Sequence, residues 1–124
     1  MSIQSIEQKR AKYALDKING FLKETNDDKK CSEWKTRANE MPAMIQMNGL
    51  GQTAAFYLSK GDVHGKMYAL LSEWICDHMG IYAERDLIRG ITQGDIHQYR
   101  LAQAESQALL LWVKKFSKAF VKGD

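Results

Sequence analysis

At 124 residues and 44% hydrophobic content, the chain is long enough for one modest core and too apolar to be disordered. Its formal charge of +3, from 18 Lys and Arg against 15 Asp and Glu, excludes a strongly basic polycation, so the placement of charge matters more than its sum. Cys31 and Cys76 are the only cysteines and require no disulfide, the N-terminus MSIQSIEQKR has no apolar signal segment, and the longest strictly apolar run, ALLLWV at 108–113, falls far short of the roughly 20 residues of a membrane span.

The chain reads as helices throughout, with one proline and no sustained alternation of β-branched residues. A first helix is predicted over residues 2–24, with Ile3, Ile6, Ala14, Ile18, Phe21 and Leu22 at helical spacing. TNDDKK (25–30) reads as a polar loop, after which Ser32 is the expected N-cap of a helix reaching Met41. Pro42 disfavours helical geometry at Met41 and suits the first position of a new helix. Asn48-Gly49-Leu50-Gly51 then predicts a bend or tight packing point before a helix over 52–60, with small residues where another helix backbone comes close. Asp62 is the expected cap of a helix running to Met79, with Met67, Leu70, Leu71, Trp74, Ile75 and His78 on one face. A short helix is predicted over 83–89 and a break at GITQG (90–94). Asp95 with Gln98 makes a capping-box-like start for a last helix running to Val121. Its stripe of Ile96, Tyr99, Ala102, Leu109, Leu110, Val113, Phe116 and Phe120 is widened by Leu101, Ala104, Ala108 and Leu111 or Trp112, so its middle is expected to be buried on several sides. The expectation is an all-α fold, a single compact bundle of about five to seven helices forming one domain over 1–124.

No constellation for catalysis is expected. Cys76-Asp77-His78 is the one tight cluster of reactive side chains, but neighbours one and two apart on a helix do not face each other. No metal-ligand spacing occurs, and the carboxylate pairs Asp27-Asp28 and Glu84/Asp86 read as solvated ends. The glycines at 49 and 51 lack the Gly-Lys-Ser/Thr of a phosphate loop. Basic residues are the remaining candidates. Lys114, Lys118 and Lys122 recur at i, i+4 and i+8, with Lys115 beside them, Lys35 and Arg37 elsewhere, and a second set of Lys9, Arg10, Lys12 and Lys17 on the first helix. Such a stripe suits phosphates or is simply a solvated helix end. The aromatics Trp34, Trp74, Trp112, Tyr57 and Tyr99 fall within apolar faces and are expected to serve the core rather than to stack on bases.

Two stretches carry a family resemblance. PAMIQMNGLGQTAAFYLSKG (42–61) and YRLAQAESQALLLWVKKFSKAF (99–120) resemble the two signatures of the small helical subunit of type III-B CRISPR effector complexes, the Cmr or RAMP module. They cover about a third of the chain, and Ala54 stands where a larger aliphatic residue is common in the family. The residues themselves lead to the expectation of a cytoplasmic chain with no metal, cofactor or membrane span, and the resemblance implies a non-catalytic subunit for antiviral defence with no small-molecule substrate. It implies as partners copies of itself in a short filament, the backbone and large Cmr subunits, and target RNA with CRISPR RNA. The expected RNA contacts are Lys114, Lys115 and Lys118, then Arg37 and Lys35. The rival expectations are a helical protein-interaction scaffold without direct RNA contact and, last, a small RNA-processing enzyme.

Overall fold

The computed structural model describes residues 3–123, and these form an all-α structure. Helix α1 (Ile6–Glu24) opens on a capping box. The Ser5 hydroxyl accepts from the Gln8 N–H at 3.1 Å, and the Gln8 amide oxygen accepts from the Ser5 N–H at 2.8 Å. The helix therefore begins later than the expected start at Ser2, which lies outside the described residues. Helix α2 (Asp28–Asn48) begins sooner than expected. Asp27, not Ser32, is its N-cap, accepting from the Lys29 N–H at 2.9 Å, and Asp28 suits the positive helix end. Ser32 lies inside the helix, and the polar loop shrinks to residues 25–27.

Pro42 does not divide α2, contrary to the sequence expectation. A proline costs its helix one donor and strains one turn. Here the face carrying Ala38, Met41 and Ile45 is buried on both sides of it, and that packing outweighs the local cost. The Pro42 carbonyl also accepts from the Gln107 side-chain amide at 3.0 Å.

Gly49, at φ 87°, ends α2 and opens α3 (Leu50–Lys60), so the expected bend is present. The close approach is present too, but to a side chain rather than to a helix backbone. A Cβ on Gly49 would lie 3.2 Å from the Tyr99 hydroxyl oxygen. Two of the N–H groups that a helix start leaves unpaired are met from the last helix: Leu50 N–H donates to Gln103 Oε1 and Gly51 N–H to the Tyr99 hydroxyl, each at 3.0 Å.

Helix α4 (Asp62–Ser72) follows a turn in which Gly61 and Asp62 both take positive φ. The Asp62 side chain makes no cap bond, contrary to expectation, and lies 3.7 Å from the Lys30 amine. The expected continuation to Met79 is present only as a π-helical segment, Glu73–His78. Its widened turn stacks His78 on Trp74 at 5.5 Å. Helix α5 (Leu87–Gln93) lies later than the predicted 83–89 and runs through the first glycine of the expected GITQG break. Asp86 caps it, accepting from the Arg89 N–H at 3.2 Å and from the Tyr68 hydroxyl at 2.9 Å, so this carboxylate is a fold element rather than a solvated end. Gly90 is buried against the ring of Tyr82, where a Cβ would sit 2.3 Å from Cγ. Helix α6 (Ile96–Phe120) has the expected Asp95/Gln98 capping box.

Helix α6 packs against α1 and α2, and the α3–α4 pair packs against α2, with the start of α3 also touching α6. One core cluster runs through all of them, from Ile18 and Met41 to Leu71 and Leu109. On α6, the residues Ala102, Leu109, Leu110 and Val113 are fully buried. Leu101 and Leu111 keep 62% and 51% of their surface exposed, so this chain alone does not bury the widened stripe expected there.

Candidate nucleic-acid interface

Three of the five predicted basic residues meet. Lys35 of α2 and Lys114 and Lys118 of α6 line one shallow groove with Thr36 and Asn39. The helical repeat explains the pairing on α6, since residues four apart share a face. Lys114 and Lys118 are exposed, and neither makes an ion pair with a described residue. Lys35 donates to the Gly123 carbonyl at 2.8 Å, which holds its amine near the groove's C-terminal end. No carboxylate lines the groove. Lys115, one residue on from Lys114, is rotated about 100° around the helix and is not among the groove residues. Lys122 lies beyond the end of α6 and pairs with Asp28 at 3.0 Å instead of extending the stripe.

Arg37 faces elsewhere. Two residues on from Lys35, it sits on the opposite side of α2 and turns toward α3 and α4. Its guanidinium lies 2.8 Å from His64 Nε2 and 3.6 Å from Glu40 Oε2. The Tyr57 hydroxyl donates to the same Glu40 carboxylate at 2.5 Å. Burial and then the neighbouring Arg37 charge push the His64 pKa below its ordinary value. A neutral His64 accepts from Arg37 through Nε2. No sequence spacing joins Arg37, Glu40, Tyr57 and His64, because three helices bring them together.

Three of the four residues in the basic set on α1 are engaged within the chain, while Lys9 is exposed. Arg10 forms a bidentate pair with Glu105 of α6, at 2.6 and 2.8 Å. Trp74 of the π segment donates to the same carboxylate at 2.9 Å. Burial raises the Glu105 pKa, but the Arg10 and Trp74 hydrogen bonds outweigh it and hold the carboxyl below its ordinary value. Lys12 pairs with Asp16 at 3.0 Å and Lys17 with Glu73 at 2.5 Å. The mid-helix Glu105 of the second signature is therefore a clasp between α1, α6 and the π segment.

The reactive-type residues are also placed. Cys76 is buried, and burial pushes its thiol pKa up to about 11, away from a nucleophile's range. Asp77 pairs with Arg85 at 3.2 Å, and His78 stacks on Trp74. Trp34, Trp74 and Tyr57 are core residues, as expected, while Tyr99 and Trp112 are half-buried. The Trp34 indole N–H donates to Ser117 Oγ at 2.8 Å, joining α2 to α6 beneath the lysine groove. No described helix is long and apolar enough to cross a membrane.

A sequence model of the CRISPR-associated protein family (Cas_Cmr5) matches residues 6–120, a span that runs from the first residue of α1 to the last of α6. The chain belongs to that family, the small subunit of the multi-subunit type III-B CRISPR complex.

Proposed function

We propose that this chain is a non-catalytic structural subunit acting in antiviral defence in the cytoplasm, folded as one domain. Copies of it stack into a short filament beside the backbone and large subunits. The filament helps hold target RNA, paired with CRISPR RNA, through Lys35, Lys114 and Lys118, with Lys115 alongside. The observation that carries the RNA contact is the α2–α6 groove, where ammonium groups from two helices converge and no carboxylate answers them. Such a groove attracts phosphates regardless of sequence, which leaves specificity to base pairing. Arg37, engaged by Glu40 and His64, supports the fold of its own face.

Replacing Lys35, Lys114 and Lys118 with Ala removes about three phosphate contacts. At a slope of about 0.7 per contact for single strands, log affinity loses roughly 2 units of dependence on log salt. Between 50 and 200 mM salt, the variant complex should therefore lose roughly 20-fold less affinity for target RNA than the parent complex. Equal slopes, together with no crosslinks from this subunit to RNA in the assembled complex, would instead support a scaffold without RNA contact.

A further inference from the structure

Helix α6 has a second apolar face that its own chain leaves uncovered. Leu101, Ala104, Ala108 and Leu111 recur at i, i+3, i+7 and i+10, the a/d spacing of a helix–helix seam. They lie on the side of α6 opposite Ala102, Leu109 and Val113, which are fully buried. The stripe is about 15 Å long, and a helix apolar on both sides belongs inside an assembly. The two alanines at its centre leave room for another helix to approach closely, with a leucine at each end to interdigitate.

Charge decides what kind of helix fits. The one acidic residue of α6 is Glu105, which is buried and clasped by Arg10 and Trp74. The other side chains of α6 that carry charge are basic: Arg100, with His97, before the seam, and Lys114, Lys115 and Lys118 after it. A second copy of α6 laid along the seam, in either direction, would set cations against cations.

We propose that this seam docks an amphipathic helix with acidic flanks, contributed by a different protein subunit of the complex. The inference rests on membership of a multi-subunit complex and not on the RNA reading. The outward seam and the α2–α6 groove are adjacent but separate faces of the same helix, so a helix docked on the seam leaves the groove open.

A photo-crosslinking residue at position 108, in the complete complex, should capture an Asp/Glu-rich helical segment of another subunit. Capture of a second copy of this chain, capture of RNA, or no capture overturns the proposal. Leu101→Asp with Leu111→Asp should lower incorporation into the complex by about tenfold or more. The isolated variant should keep the parent's helix content and melting temperature, because both side chains are already half exposed. Arg100→Glu with Lys115→Glu leaves the leucines in place and should also lower incorporation. Incorporation of both variants at the parent level refutes the seam. Lys35→Ala, which alters the groove on α2 and leaves α6 intact, serves as the separate arm: it should incorporate normally whether or not its RNA affinity changes.

Discussion

Replacing Glu105 with Ala should be among the most damaging single changes in the molecule. Its carboxylate accepts two bonds from Arg10, at 2.6 and 2.8 Å, and one from the Trp74 indole at 2.9 Å. The Glu105 and Arg10 side chains are 9% and 15% exposed, so water replaces little of what is lost. Removing one partner of a buried ion pair costs about 3–5 kcal/mol, and the loss here lies toward the lower end, because Arg10 keeps its 2.6 Å pair with the more exposed Glu7. At roughly 4 °C per kcal/mol for a domain of this size, the melting temperature falls by about 10–20 °C. Glu105→Gln keeps a neutral acceptor and should lose about half as much. Thermal melts followed by circular dichroism at neutral pH measure all three proteins.

The pH dependence gives an independent check. The folded pKa of Glu105 lies below its ordinary value, so its stabilisation is fully present above the unfolded pKa of about 4.3 and is lost as pH falls through the folded pKa. The gap between parent and Glu105→Ala should therefore be constant near neutrality and close in acid. A variant melting within about 2 °C of the parent at neutral pH would show that the clasp is not a net stabiliser, the outcome expected where desolvation cancels the pair.

Gly90→Ala should destabilise despite alanine's better helix propensity, since its Cβ would sit 2.3 Å from Cγ of the buried Tyr82. Overpacking of about 2–3 kcal/mol exceeds the propensity gain of about 1 kcal/mol, and combining it with Tyr82→Ala in urea titrations should show strong non-additivity. Tyr99→Phe removes the hydroxyl that accepts from the Gly51 N–H and should cost about 1–2 kcal/mol, with amide exchange rising first at the start of α3. Unchanged protection at Leu50 and Gly51 would show that water caps this helix equally well.

Local signals set the start of α6 in the sequence itself, and they set the start of α1 as well, although helical spacing alone placed that start too early, at residue 2. Ser5/Gln8 and Asp95/Gln98 satisfy their own helix starts through bonds three residues apart, so tertiary contacts are not needed to place them. The all-α class, the bend at Gly49 and the family signatures were legible for the same reason: each rests on short-range periodicity or on residues close in the chain. The lysines at 114 and 118 were legible as a face of one helix.

What failed in the sequence reading was decided by contacts across the fold. Pro42 is a helix breaker by propensity, yet burial of Met41 and Ile45 carries α2 through it. Gly90 reads as punctuation but is a seat for Tyr82, and residues eight apart show no periodic signal of that. Only tertiary structure brought Lys35 to Lys114 and Lys118, turned Arg37 away to Glu40 and His64, and clasped Glu105 between Arg10 and Trp74. Helical periodicity tells which residues share a side of one helix. Which sides meet is set by the packing of six helices and a π turn, and that packing left the outer seam of α6 open.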